Sequence, residues 1–92
     1  MLSEDRRKGI LDRVGYLLQQ IDPGVHLHEV VLDSTRQQLA IFMQKGEWPV
    51  VVGINYLDYV SHRDDDLKLY LERGLKQRLE AAMRRQAQEE AE

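Results

Sequence analysis

Three groups of residues in this 92-residue chain carry side chains able to do chemistry. The first is His26-Leu27-His28-Glu29. Alternate strand positions point the same way, so His26 and His28 would present two imidazoles on one face. Strand pairs of this kind hold zinc or iron once further ligands arrive, and His62, Asp58 or Asp64-Asp65-Asp66 could supply them. A two-histidine spacing is common by chance, however, and no second motif stands at a recognisable distance. The plain alternative is a pair of partly exposed strand histidines. His26 and His28 are the metal candidates, and no metal is assigned to them.

The second group is Tyr56, Asp58, Tyr59 and His62. An aspartate and a histidine held together can do acid–base work, which makes Asp58 and His62 the catalytic candidates. Tyrosines beside a strand end are also ordinary amphipathic borders of a core, with the hydroxyl at the surface. The third group is cationic: Arg63, Lys68, Arg73, Lys76, Arg78, Arg84 and Arg85. Glu72 and Glu80 interleave with them, as on a solvated helix face. The net charge of −3 also lacks the basic balance of a general nucleic-acid binder. Gly46, Gly53 and Gly74 stand singly, so no glycine-rich phosphate loop is present, and no serine sits in a nucleophile elbow. No cofactor is expected.

Composition sets the frame in which such residues must be positioned. A chain of this length is expected to form one domain, residues 1–92. With no cysteine, neither disulfides nor thiolate metal sites can reinforce its small core. An apolar fraction of 42% with 32% charged residues is that of a globular domain rather than a disordered segment. The apolar runs are too short to span a membrane, and Met1-Leu2-Ser3-Glu4-Asp5-Arg6 has no apolar signal-peptide core, so a cytoplasmic location is expected.

The stretch that the other elements must cover is Trp48-Pro49-Val50-Val51-Val52. Its apolar run without alternation reads as a strand covered on both faces. Upstream, Ile10, Leu11, Val14, Leu17, Leu18 and Ile21 recur at helical spacing, which predicts a helix over 3–21 capped by Ser3 and stopped at Pro23-Gly24. Gly15 lies on the flank of that stripe, either tolerated there or marking close approach to another backbone. Two strands are expected over 25–33 and 36–45, joined by Asp33-Ser34-Thr35, and a third over 48–55. Asn55 followed by Asp58 suggests a short helical turn next.

A long helix is predicted over 65–88, with an acidic tail that frays at about 88–92. Leu67, Leu71, Leu75, Leu79 and Met83 step by four, so the row rotates by about 40° per step on a 3.6-residue helix. Its front half is expected to cover the sheet and its rear half to need a second surface.

The fold expected is α+β, in the order α-β-β-β-α, with a three-stranded antiparallel meander packed by both helices. If both helices take one face of the sheet, Ala40, Phe42 and Val51 on the other lack cover. A homodimer joining sheet faces, or pairing the long helices, would bury what remains. The expected interaction surface is therefore Phe42, Leu75, Leu79 and Met83. The function expected is a non-catalytic, homodimeric or protein-interaction module. Two alternatives stand beside it: an enzyme using His26, His28 and His62, and a nucleic-acid binder using the long helix.

Overall fold

The computed structural model describes residues 2–91, with Ala91 as backbone only. Helix α1 (Glu4–Ile21) starts at Ser3, whose hydroxyl accepts the Arg6 N–H. Strands β1 (Val25–Asp33), β2 (Gln38–Lys45) and β3 (Trp48–Asn55) form an antiparallel sheet in the order β1-β2-β3. Helix α2 (Tyr56–Ser61) is the short turn marked by Asn55, whose side chain accepts the Leu57 N–H. Helix α3 (Asp64–Ala91) follows. The α+β meander with an N-terminal and a long C-terminal helix is thus the observed fold. Among the described residues no helix is long and apolar enough to cross a membrane.

Two boundaries differ from expectation for local reasons. β2 begins at Gln38 because Thr35 and Arg36 are spent in the preceding turn. The Asp33 carboxylate accepts both of their N–H groups, and Gln37 closes the turn in the left-handed region at φ 54°. α3 runs to Ala91 instead of fraying beyond Gln88, while Glu92 lies outside the described residues. Its last turns are rich in Ala, Glu, Gln and Arg, which are strong helix formers, and Gln86 donates to Glu90 one turn on.

One cluster of buried side chains joins sheet and helices. Leu39, Ile41 and Met43 of β2 meet Val50, Val52 and Ile54 of β3 on the inner face. Helix α1 lies against β1, α3 lies against β3, and the helices touch each other. The chain extends 46 × 30 × 20 Å. The long axis is close to the length of α3, whose 28 residues rise about 42 Å. The 20 Å thickness leaves room for one layer of helices and one sheet, and for nothing on the sheet's other side.

α3 reaches the sheet most closely at Gly74. A β-carbon there would stand 3.0 Å from Cγ1 of buried Val52, a contact that a stiff β-branched neighbour cannot relieve. Gly15 is the looser position, with Leu27 at 3.9 Å from its would-be β-carbon. Gly9 faces open space. Alanine at Gly9 should therefore raise stability by about 0.5–1 kcal/mol, the ordinary gain in a helix interior. Gly74→Ala should gain nothing, and Gly74→Leu should lower stability by about 1–3 kcal/mol through overpacking. Chemical denaturation of the three variants against the parent protein checks this ordering.

Candidate interaction surface

The residues singled out for metal chemistry do not converge. Strand order puts His26 and His28 on β1, at one edge of the sheet. His62 follows α2 beyond β3, at the other edge. His26 and His28 both remain exposed on β1, across a bulge between Leu27 and Glu29. Among the described residues no three His, Cys, Asp or Glu side chains gather at one point.

The acid–base pair does not form either. His62 turns its Nδ1 to the backbone carbonyl of Asp58, not to the carboxylate. The group is organised instead by a residue the sequence did not single out. Arg13 of α1 donates to Asp64 Oδ1 at 2.8 Å, to the carbonyl of Tyr59 at 3.1 Å and to that of His62 at 2.7 Å. Its guanidinium also lies 4.9 Å from the centre of the Tyr59 ring. The fork holds the end of α2 and the start of α3 against α1, a positioning task that a point charge such as lysine could not do. Burial alone would lower the Arg13 pKa, but Asp64 and Tyr59 outweigh it and the net shift is upward. Burial likewise pushes the Tyr59 hydroxyl upward, against the opposing pull of Arg13.

The expected interaction residues separate into two pairs. Leu75 and Leu79 are only 4% and 8% exposed, packed into the chain's own core, and border with Met83 a shallow groove of about 330 Å³. At about 40° per step the row has turned about 120° by Leu79, which still lies inside the angle between α1 and the sheet. The next step carries Met83 out of it, to 48% exposure. Phe42 is 37% exposed on the bare face of the sheet, between Val31 at 49% and Val51 at 42%. The Val50-Val51-Val52 run is thus covered by this chain on one face only, because both helices chose the same side.

The strand registers map the bare face as rows across the sheet. Glu29, Phe42 and Val51 form one row, and Val31, Ala40 and Gly53 the next. His26, Gln44 and Pro49 lie beyond the first, while Asp33, Gln38 and Asn55 lie beyond the second. Both carboxylates on these rows are engaged elsewhere. Asp33 is bonded into its turn, and Glu29 reaches around the edge to the Arg7 guanidinium with bonds of 2.7 and 2.8 Å. Among the described residues the result is a sheet face whose two carboxylates are both bonded, with His26 and His28 along its β1 side, in a chain that is 32% charged. A shallow groove of about 430 Å³, bordered by Val31, Phe42 and Val51, runs across it. Leu57 and Val60 on α2 are also exposed, but single apolar residues are ordinary on a surface.

Both edges of the sheet are blunted. The Gly53 carbonyl accepts the Tyr70 hydroxyl at 2.5 Å, so Gly53 turns outward, and by alternation Val51 and Pro49 do too. Pro49 brings no donor to that edge. On β1 the outward N–H of Val30 is taken by Glu29 Oε1 at 3.0 Å. A further strand would have to displace these bonds before it could pair.

Compared with known proteins, the chain matches no family model, no curated protein and no solved structure.

The Glu29 contacts make a pH prediction. The bond from Arg7, then that from the Val30 N–H, hold its carboxyl below the ordinary value of 4.5. The unfolded chain therefore binds the proton more readily, and stability rises with pH across that interval. The contribution is complete above pH 4.5 and is lost as pH falls through the lower folded value. Glu29→Gln lacks it at every pH. Denaturation midpoints of parent and variant should diverge above pH 4.5 and converge in acid.

Proposed function

We propose that this protein is a non-catalytic module that acts by protein–protein contact through the bare face of its sheet. One observation carries the reading: Val31, Phe42 and Val51 stand exposed together on a face whose two carboxylates are bonded elsewhere. A solvated sheet face ordinarily alternates apolar residues inward with polar residues outward. Here valine and phenylalanine occupy outward positions on all three strands. The blunted edges favour contact through the face over addition of a strand. Separation of the histidines, and the missing Asp58–His62 contact, favour a binding role over the metal-dependent or acid–base alternative.

The test is photo-crosslinking in cells. A benzophenone amino acid in place of Phe42 should give a defined protein adduct. The same residue in place of Tyr16, which is more exposed but lies on α1, should not. Equal background labelling at both positions would contradict the reading.

A further inference from the structure

We infer that the groove between α3 and the outer edge of β3 is a binding site for a phosphate monoester carrying hydroxyl groups, a sugar phosphate being the simplest. The inference does not depend on the role of the bare sheet face.

The groove has a volume of about 490 Å³, within the range of small-molecule sites. One stripe of α3 forms its wall, since Asp66, Tyr70, Arg73 and Gln77 recur at the spacing that puts residues on one side of a helix. Val52 and Gly53 of β3 line the opposite side, and Gly74 lets the helix lie close to them. The Tyr70 hydroxyl ties the two sides together through its 2.5 Å bond to the Gly53 carbonyl.

Charge selects an anion. Arg73 and Arg78 line the groove against one carboxylate, Asp66, in a chain whose net charge is −3. Other hollows have the opposite balance. Beside Trp48, Arg85 faces Glu89 and Glu90, and beside Met83, Lys45 and Lys76 face Asp22, Glu72 and Glu80. Among the described residues, neither Arg73 nor Arg78 is paired with a carboxylate of its own chain. Their planar guanidinium forks keep their donors for a ligand, and they match the oxygens of a phosphate. β3 is an outer strand, so the backbone groups of Gly53 that point away from β2 have no strand to pair with. Tyr70 occupies the carbonyl, and the N–H beside it is left as a further donor. His62 donates through Nδ1 to the Asp58 carbonyl, which leaves Nε2 unbonded on the border of the groove.

The two ends of the groove differ. Asp66 precedes Arg73 by seven residues, about 10 Å along the helix axis. The cationic end holds the phosphate, while the Asp66 carboxylate accepts from hydroxyl groups on the remainder of the ligand. That length suits a phosphorylated sugar better than a bare phosphate ion, and a second anionic group at the far end would be repelled by Asp66. Asp66, Arg73 and Arg78 are all exposed, so binding is screened by salt and weak, with a Kd of about 1 mM at low salt.

The test is an amide NMR titration of the purified full chain at low salt. Glucose phosphorylated on its primary hydroxyl should shift the Gly53 and Gly74 signals in a saturable way. Glucose alone should not, and inorganic phosphate should bind at least about threefold more weakly than the ester. Arg73→Gln and Arg78→Gln should each weaken binding of the ester by more than about fivefold. Arg85→Gln removes a positive charge from the same helix outside the groove and should change binding by less than about twofold. Glutamine is close to arginine in helix propensity, so all three variants should fold. A Gly53 signal that shows no saturable shift overturns the inference. So does an equal loss of binding in Arg85→Gln, since the attraction would then belong to surface charge in general. Succinate binding as tightly as the ester at equal ionic strength overturns the assignment of the ligand as a phosphate.

Discussion

The structure depends on one packing decision: both helices cover the same face of a three-stranded sheet. α1 takes β1 and α3 takes β3, and the two meet over the middle strand. That arrangement buries Leu39, Ile41, Val52 and the leucine row of α3 in one cluster without a disulfide. Gly74 sets how close α3 can come, since a larger residue would meet Val52. Arg13 fixes the return of the chain from β3 into α3 by tying three points of that crossing to α1. Each of these features strengthens one side of the sheet, and together they leave the other side to the solvent.

Local signals were enough to read the order of elements. Helical spacing in 10–21, the Asn55 cap and the three strand runs are short-range patterns, and each produced the element expected from it. The bare outer positions Phe42, Ala40 and Val51 followed from placing both helices on one face. What could not be read was set by partners far apart in sequence. Arg13 meets residues 46 to 51 positions away, Tyr70 meets Gly53 across 17, and Arg7 meets Glu29 across 22. The need for Gly74 likewise lies in Val52, not in its own helix. No local spacing marks such contacts, so the two edge caps and the Arg13 fork had no sequence signal.

The leucine row shows how the rotation of a four-residue repeat can be taken up inside one domain. Its rotation is real, but α1 and the sheet together present a concave junction wide enough for four of its five side chains. Leu75 and Leu79 are consumed inside the domain, and Met83 alone leaves it. The case for a partner thus moves from the long helix to the sheet. There, the unalternating valine run remains half uncovered by its own chain.

The most direct measurement of that claim is paramagnetic relaxation of valine methyl groups by a soluble spin agent. In dilute protein, the Val51 methyls should relax strongly, while those of Val50 and Val52, which flank it in sequence, remain protected. Val51 methyls that are as protected as those of Val52 in dilute, single-chain protein would contradict the account, because the chain would then be covering that face by itself.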